Sequence, residues 1–250
     1  MKYVTRVLEV LWGLYFWIVF IVCVLASLIA VTFVPGIKNR VRFTTAASRA
    51  AFRLAGIPVD IEGIENLPSG NSVVVANHAS YVDGPLLKGF LPPGYSFVIK
   101  GEMRSIPVVH FLLRRSGSRF VDRFTVSRSA RDARHIVKAA KGGQSLVFFP
   151  EGTFRAYPGV GRFRAGAFVA ATRGNMPVVP VAISGTREIL RAERAMPRFG
   201  RIRIEIMAPI PADDAAYRDH RVLAEAARQR VLEKLREPDL AADKDGNHDY

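Results

Sequence analysis

The first pattern along the chain is a long apolar run near its start. Val10–Val34 comprises 25 residues without a charged side chain, and Pro35 follows directly. As an α-helix at ~1.5 Å per residue, the run would be roughly 37 Å long, against about 30 Å for the hydrocarbon core of a bilayer. The pattern predicts a membrane helix within residues 1–36. The aromatic residues expected in the interfacial layer are Trp12, Tyr15 and Trp17.

Charges on either side of the run bear on its orientation. Lys2 and Arg6 precede it, whereas a denser basic cluster follows it. That cluster comprises Lys38, Arg40, Arg42, Arg49 and Arg53. Positive charge stays on the cytoplasmic side, so the rest of the chain is expected in the cytoplasm. Two other interpretations are a signal peptide, for which the run is too long, and an interfacial or re-entrant anchor that never crosses.

Beyond the run, the spacing of apolar positions alternates between that of helices and that of strands. Residues 36–57 predict a basic amphipathic helix, either an ordinary packing helix or one that lies on anionic lipid. Short β-rich runs follow at Val59–Ile64, Ser72–Ala76, Ser96–Lys100, Arg119–Asp122, Ser145–Phe149, Val178–Ser184 and Ile202–Met207. Helical patterns are found at Pro85–Gly89, Pro107–Arg115, Ser127–Ala140, Gly166–Arg173 and Ala215–Arg236.

This alternation predicts an α/β fold: a single domain over residues 37–236, with a mixed, largely parallel sheet flanked by helices and preceded by the N-terminal membrane helix. Residues 237–250 carry five acidic side chains against Lys244. A short, charged segment of this kind is expected to be a disordered tail.

Composition narrows the possible partners. The chain has 250 residues, 49% of them hydrophobic, and a net charge of +14. The apolar content excludes a disordered chain, and the single cysteine, Cys23, excludes a disulfide framework and a cysteine-rich zinc site. A chain that is both apolar and basic suits nucleic acid or an anionic membrane surface.

A histidine and an aspartate follow directly on an apolar strand. His78 and Asp83 come just after Ser72–Ala76, and sites in open α/β sheets form at the carboxyl ends of strands. A histidine can act as a general base, and a carboxylate five residues later can reach its ring from a first helical turn. The chain has no Gly-x-Ser-x-Gly sequence, so the pair fits direct attack by a substrate hydroxyl. Alone, His78 fits a helix cap equally well.

Three later segments are candidates for the site: two combine turn residues with arginines, and one is a strand with prolines. Gly117–Arg123 also fits an edge strand with a surface ion pair, and Met176–Val181 is a strand framed by two prolines. In Phe148–Arg155, an apolar strand runs into a proline, a glutamate and a glycine turn, whose N–H groups can hold an anion. Arginines, which bind phosphate with paired hydrogen bonds, follow at Arg155, Arg162 and Arg164.

Together these segments resemble the four sequence blocks of the glycerolipid acyltransferases, in particular the bacterial 1-acylglycerol-3-phosphate acyltransferases. The blocks are Asn77-His78 with Asp83, Gly117–Arg123, Phe149–Thr153 and Pro177–Pro180. They follow the family's order at fitting spacing and span about residues 59–210. The segment from Arg164 to Phe168 is similar to a further family segment.

The resemblance implies a role for each block. His78 is expected to deprotonate the acceptor's free hydroxyl, and Asp83 to orient and charge-balance the histidine. The hydroxyl then attacks the thioester of acyl-coenzyme A or acyl carrier protein, a co-substrate, so no cofactor and no metal are expected. The expected substrate-binding residues are Asn77, Gly117, Arg123, Glu151, Gly152, Thr153, Arg155, Arg164 and Pro180. Arg123 and the turn 151–153 resemble the part of the family's site that holds the acceptor's phosphate. The fourth block resembles a segment that is associated with the acyl donor or forms the wall of the site.

The resemblance therefore predicts a membrane-bound O-acyltransferase that converts 1-acylglycerol-3-phosphate into phosphatidic acid. It is expected at the cell inner membrane, with the catalytic domain facing the cytoplasm. Its expected partners are the lysophospholipid acceptor, the thioester donor and anionic membrane lipids, and nucleic acid is not among them.

The third block departs from the family pattern at one position. Phe154 stands where the family often has arginine, and Arg155 comes one residue later. Either the phosphate contact shifts to Arg155, or the acceptor is another lyso-lipid, such as lysophosphatidylethanolamine or a lyso-aminolipid. Two other classes are a hydrolase that uses water as acceptor and a membrane-tethered nucleic-acid-binding protein. The second lacks a recognised helix-turn-helix, RRM or zinc-finger signature.

Overall fold

The computed structural model describes residues 2–121 and 126–241, which form seven strands and eight α-helices. The strands are β1 (Val59–Glu62), β2 (Val73–Ala76), β3 (Ser96–Lys100), β4 (Arg119–Val121), β5 (Leu146–Phe148), β6 (Val178–Ser184) and β7 (Ile202–Ile206). The helices are α1 (Lys2–Phe33), α2 (Ile37–Leu54), α3 (Asp83–Phe90), α4 (Pro107–Arg115), α5 (Val126–Lys141), α6 (Gly166–Gly174), α7 (Thr186–Leu190) and α8 (His220–Leu235).

All seven strands belong to one sheet, in the order β1-β7-β6-β2-β5-β3-β4. Neighbouring strands are parallel except β6 and β7, which are antiparallel. The predicted fold class, a single α/β domain with a mixed, largely parallel sheet, is confirmed. Because β2 lies between β5 and β6, the residues that follow it stand at the middle of one sheet edge.

Burial along the strands matches their places in the sheet. Every residue of β2 and β5 is buried, as expected for central strands covered on both faces. β1 lies at an edge, and its residues alternate between partly buried and exposed. At that edge Glu62 pairs with Arg203 of β7.

Different helices cover the two faces of the sheet. On one face, Phe16 of α1 and Phe52 of α2 are fully buried and belong to the same core as Val74. On the other face, Phe168 of α6 lies in a second core with Val73, together with residues of α5 and α8. Successive residues of β2 therefore serve separate cores, as the two-residue period of a strand requires.

Helix α1 packs against the domain along much of its length. The indole N–H groups of Trp12 and Trp17 and the Tyr15 hydroxyl donate to backbone carbonyls at 3.2, 2.9 and 2.8 Å. Near the end of the helix, Arg115 of α4 donates to the carbonyl of Val31 at 3.0 Å. The three aromatic residues were predicted to lie at a lipid interface, but their polar atoms donate to backbone carbonyls of the domain instead.

The other side of α1 is apolar and exposed. Leu8, Leu11, Ile18 and Ile29 are each more than half exposed. By length and composition alone, Thr5–Phe33 is sufficient to cross a membrane.

The last helix differs from its prediction. The helical pattern over Ala215–Arg236 is interrupted at Asp219, because its carboxylate accepts from the N–H of Arg221 at 2.7 Å and so caps α8. The short helix α7 was not predicted from the sequence.

The segment assigned to a disordered tail also differs at its start. The backbones of Pro238 and Leu240 form hydrogen bonds with Val160. Residues 237–241 are therefore attached to the domain, and residues 242–250 lie outside the described residues.

Candidate active site

The site begins where β2 ends, and Asn77 fixes that end. The Asn77 side chain donates to the carbonyl of Ile183 at 2.9 Å and accepts from its N–H at 2.7 Å. Both functions of the buried amide are thus used to join β2 to β6. Asn77 was predicted to bind substrate, but the structure places it as a support that fixes the backbone just before His78.

His78 and Asp83 form the predicted pair. The His78 Nδ1 atom lies 2.8 Å from Asp83 Oδ2, and the aspartate is fully buried. The same oxygen accepts the N–H groups of Ala79 and Ser80 at 2.7 and 2.8 Å. A carboxylate only accepts hydrogen bonds, so it selects the tautomer with the proton on Nδ1. The Nε2 lone pair of the partly exposed ring is then free to accept a proton.

Glu151 supports the backbone of the histidine. Its Oε1 accepts from the N–H of His78 at 2.8 Å, and its Oε2 accepts from the N–H of Gly161 at 2.8 Å. Burial raises the pKa of Glu151; the two N–H bonds oppose the increase, and the charge of Glu237 adds to it. The carboxylate therefore links three segments of the site: β2, its own turn and the following loop.

Aromatic rings surround the histidine. Phe149 stacks on its imidazole with ring centroids 4.4 Å apart, and Phe154 lies against it at 4.6 Å. Tyr81 in turn packs edge-on against Phe154 at 4.7 Å. The phenylalanine that departs from the family pattern therefore forms part of an apolar wall beside His78.

An apolar cavity of about 400 Å³ opens on this side of the histidine. Its walls include His78, Phe154 and Gly84, with Phe20 of α1 and Ala51 of α2. The cavity is of a size and character to hold an aliphatic chain.

Two lysines line that cavity: Lys100, at the end of β3, and Lys88 of α3. The Lys88 ammonium lies 3.4 Å from the Ser116 carbonyl and 5.8 Å from the centroid of the Phe97 ring. Burial lowers the pKa of Lys88 to about 8.

A second cavity, of about 740 Å³, lies on the other side of the Glu151 turn and is basic. Its charged lining residues are Arg155, Arg162, Arg164, Arg221, Glu151 and Glu225. Thr153 lines both cavities, whereas Phe154 lines the apolar one and Arg155 the basic one. Four guanidinium groups make this cavity suited to a phosphate-bearing group.

The other predicted site residues fall in different places. Gly152 lines the apolar cavity. Gly117 forms a left-handed turn (φ 89°) beside α2, and its carbonyl accepts from Ser96 at 2.6 Å. Pro180 is buried within β6 and is not among the residues that line either cavity. Arg123 lies outside the described residues.

Four charged residues that line the cavities were not predicted from the sequence: Lys88, Lys100, Arg221 and Glu225. Lys88 resembles any basic residue near a helix end, and Arg221 resembles a solvated residue in the first turn of α8. No local pattern distinguishes them, because their cavities are assembled from segments far apart in the chain.

The acyltransferase family model matches residues 58–184, just over half of the chain. The matched segment runs from β1 to β6 and contains His78, Asp83 and the Glu151 turn.

Curated relatives carry related names. The chain is 31% identical over 179 residues to the chloroplastic 1-acyl-sn-glycerol-3-phosphate acyltransferase BAT2 of Brassica napus, covering 70% of this chain and 50% of the relative. It is 29% identical to the 1-acyl-sn-glycerol-3-phosphate acyltransferase of Saccharomyces cerevisiae, covering 74% and 62%. The lyso-ornithine lipid O-acyltransferase of Pseudomonas aeruginosa is 27% identical, covering 71% and 72%. The chain thus spans only half to three fifths of the first two relatives.

A solved structure matches nearly the whole chain. The 1-acyl-sn-glycerophosphate acyltransferase PlsC from Thermotoga maritima superposes with a TM-score of 0.76 at 27% identity, covering 92% of this chain and 97% of that one. With the family match and the shared fold, the chain belongs to the acyltransferase family.

Proposed function

We propose that this protein is a membrane-bound O-acyltransferase that transfers a fatty acyl group from a thioester to 1-acyl-sn-glycerol-3-phosphate, giving phosphatidic acid. The observation that carries the proposal is the His78–Asp83 pair, in which His78 lines the apolar cavity and its backbone N–H is bound by Glu151 of the basic cavity. The names of the relatives support the same acceptor.

The chemistry follows from the pair. The Nε2 atom of His78 takes the proton of the acceptor hydroxyl, whose oxygen attacks the thioester carbonyl carbon. The carbon–sulfur bond of the tetrahedral intermediate then breaks, and the departing sulfur takes the proton back from the imidazolium. Asp83 stabilises the imidazolium between the two transfers, because its buried carboxylate carries the opposite charge.

The adjoining cavities suit the two substrates, the basic cavity the acceptor's phosphate and the apolar cavity the acyl chain of the donor. In a 1-acylglycerol phosphate only a short glycerol link separates the free hydroxyl from the phosphate, so the phosphate must bind close to the base. Thr153 joins the two cavities at that place, with Arg155 and Arg164 on the basic side. Although Phe154 stands where the family often has arginine, Arg155 still places a guanidinium in the basic cavity.

The packing of α1 bears on how the protein meets a membrane. The helix contacts the domain from Trp12 to Thr32, a length of about 30 Å at 1.5 Å per residue. A helix that crossed the bilayer would carry the domain into the lipid with it. In the proposal, α1 therefore lies along the cytoplasmic leaflet of the inner membrane with its exposed apolar side down, while Lys38 and Arg42 of α2 face anionic headgroups.

A vesicle flotation assay tests this arrangement. Leu11→Asp and Ile18→Asp place charge on the exposed side of α1, and each is expected to reduce binding to anionic vesicles. Unchanged binding by both variants would contradict it.

A second acceptor class is favoured by one observation. The basic cavity also contains the carboxylates of Glu151 and Glu225, so it presents both signs of charge. A zwitterionic headgroup fits such a cavity, and one relative is named a lyso-ornithine lipid O-acyltransferase. Lyso-aminolipids are therefore the alternative acceptors.

One assay tests the proposed function and separates the acceptors. The full chain in detergent or vesicles is given a panel of lyso-lipids with acyl-coenzyme A or acyl carrier protein, and lipid products are identified by mass spectrometry. The expected product is phosphatidic acid, formed far more slowly by His78→Ala. A product from an aminolipid alone would favour the alternative. Consumption of the thioester without any lipid product would mark a hydrolase and overturn the proposal.

A further inference from the structure

The last described residues form a short segment, Glu237–Leu240, that crosses the loop after the Glu151 turn; we call it the C-terminal strap. The N–H of Val160 donates to the Pro238 carbonyl at 3.0 Å, and the N–H of Leu240 donates to the Val160 carbonyl at 3.1 Å. A β-carbon on Gly159 (φ 134°) would lie 2.4 Å from the Leu240 side chain, so this approach needs glycine. The strap thus pairs with the loop like a very short strand.

A partly buried ion pair fixes one end of the strap. The Glu237 carboxylate receives both terminal nitrogens of Arg187, at 2.5 and 3.1 Å, and also the N–H of Gly159 at 2.7 Å. The side chains are only 10% and 21% exposed for Arg187 and Glu237. Arg187 belongs to α7, directly after β6, so the pair ties the loop to the sheet edge that carries His78.

A second arginine, which is buried, holds the strap at Asp239. Arg228 of α8 donates to both oxygens of Asp239 at 2.8 and 2.9 Å, and its side chain is 3% exposed. The same guanidinium binds Glu225, a residue of the basic cavity. The strap is therefore held between α7 and α8.

Hydrogen bonds continue from the strap to the histidine. The strap holds Gly159 and Val160, and the adjacent Gly161 donates to Glu151. The other oxygen of Glu151 accepts from the N–H of His78. Residues 155–164, which include this loop, also carry three of the four arginines of the basic cavity.

We propose that Glu237 and Arg187 are positioning residues, and that the strap holds residues 155–164 in the shape that lines the basic cavity and supports Glu151. The family match ends at residue 184, so both residues belong to parts of the chain outside it. The kinetic consequence rests on the proposed function; the structural consequence does not.

The expected kinetic effect follows from the order of events. Without the strap, the loop samples many conformations, and the acceptor must select or order the one with its arginines in place. That loss lowers the apparent affinity for the acceptor, whereas the His78–Asp83 contact, which the strap does not touch, stays formed. The acceptor KM therefore changes more than kcat.

Two truncations provide the first test. A chain that ends after Ala241 loses the residues beyond the strap, and a chain that ends after Arg236 loses the strap itself. The longer form is expected to keep the KM and kcat of the full chain. The shorter form is expected to raise the acceptor KM by about tenfold. Equal KM values in the two truncations would overturn the proposal.

Point variants keep the test sharp if the shorter chain does not fold. Glu237→Gln removes one charge of the partly buried pair, and Glu62→Gln removes one charge of an exposed pair at the far edge of the sheet as a matched control. Only the first is expected to raise the acceptor KM, and Glu237→Asp should restore part of the loss. A purely structural role for Glu237 would lower the melting temperature and the active fraction with KM unchanged.

Hydrogen exchange separates this proposal from the proposed function. In Glu237→Gln, the amides of Gly159, Val160 and Gly161 are expected to exchange faster than in the unaltered chain, while those of β7 stay unchanged. This result is expected whether or not the chain acylates lyso-lipids. Unchanged protection at all three amides would overturn the inference even if activity fell.

Discussion

The two ends of the chain build opposite sides of one site. Helices α1 and α2 supply apolar walls to the cavity beside His78, whereas α8 supplies Arg221 and Glu225 to the basic cavity. The central segment, which matches the family model, holds the dyad between them. The difference suggests a division of labour in which the centre carries the dyad and part of both cavities, and each end completes one of the two cavities.

The two cavities hold their ligands by different forces. An aliphatic chain gains ~0.8 kcal/mol for each methylene removed from water, so selectivity in the apolar cavity accumulates with length. A phosphate gains from a few charge-assisted hydrogen bonds, so selectivity in the basic cavity depends on where each guanidinium stands. Substitutions in each cavity should therefore affect different substrates.

The largest expected effect is at the centre, on the His78–Asp83 pair itself. His78→Ala should lower turnover by ~10²–10⁴, the usual contribution of a positioned general base, without unfolding the domain. Asp83→Asn should also be severely impaired, because the imidazolium loses its buried counter-charge. Initial rates with saturating substrates measure both, and circular dichroism checks the fold. Near-full activity of His78→Ala would show that the dyad does not perform the transfer, and the comparison of the two ends around it would lose its centre.

A large effect on stability is expected in the apolar cavity. Lys88 is held there with its pKa lowered to about 8. At neutral pH it is charged in both the folded and the unfolded state, and the folded state bears the cost of desolvating the charge. Lys88→Met should therefore raise the free energy of unfolding at pH 7 by up to about 3 kcal/mol.

The sign of the pH dependence makes this prediction specific. Above pH 8 the folded state gives up its proton while the unfolded chain keeps it, so the unaltered protein gains stability as pH rises toward 10.5. The advantage of Lys88→Met should shrink over the same range. Denaturant unfolding at several pH values measures it, and an advantage independent of pH would show that improved packing, rather than desolvation, is the cause.

The sheet could be predicted well from the sequence, for a physical reason. Strands β3 and β6 were predicted to the residue, because strands within a sheet leave apolar runs bounded by turn residues. Helix α7 could not be predicted, since five residues are too few to show a helical period. The break at Asp219 was missed because a capping side chain interrupts the helix without interrupting the apolar pattern.

The residues alone indicated the site where its contacts are local, and the family resemblance added Thr153, Arg155 and Arg164, which line the basic cavity. His78 and Asp83 are five residues apart, and their spacing indicated the contact. A motif gives the position of a residue but not the direction of its side chain, so the sequence did not show that Asn77 joins β2 to β6 or that Pro180 is buried within β6. The Arg187–Glu237 pair joins residues 50 positions apart, and no local pattern indicates such a contact.

A smaller effect is expected in the basic cavity, at the residue Arg221 that α8 contributes. Arg221→Ala removes one of four guanidinium groups from the basic cavity and should raise the KM of the acceptor by about tenfold, with little change in kcat. Arg173→Ala, at an exposed arginine at the end of α6, is the matched control. If both variants behave alike, net charge rather than the cavity governs acceptor binding.

The smallest and most selective effect is expected in the apolar cavity, whose walls include residues of α1 and α2. Gly84 lines the apolar cavity, and a β-carbon there would meet no atom within 4 Å, so Gly84→Leu can fill the cavity without displacing the backbone. Each methylene that no longer fits loses ~0.8 kcal/mol, about fourfold in kcat/KM. The ratio of kcat/KM for long against short acyl donors should therefore fall stepwise with chain length, and much less in Gly84→Ala.

The KM of the acceptor provides the control for Gly84→Leu. It should stay close to its original value, because Gly84 does not line the basic cavity. If Gly84→Leu instead impaired all donors equally, the apolar cavity would not be the compartment that measures the acyl chain, and the division between the two ends of the molecule would fail on that side.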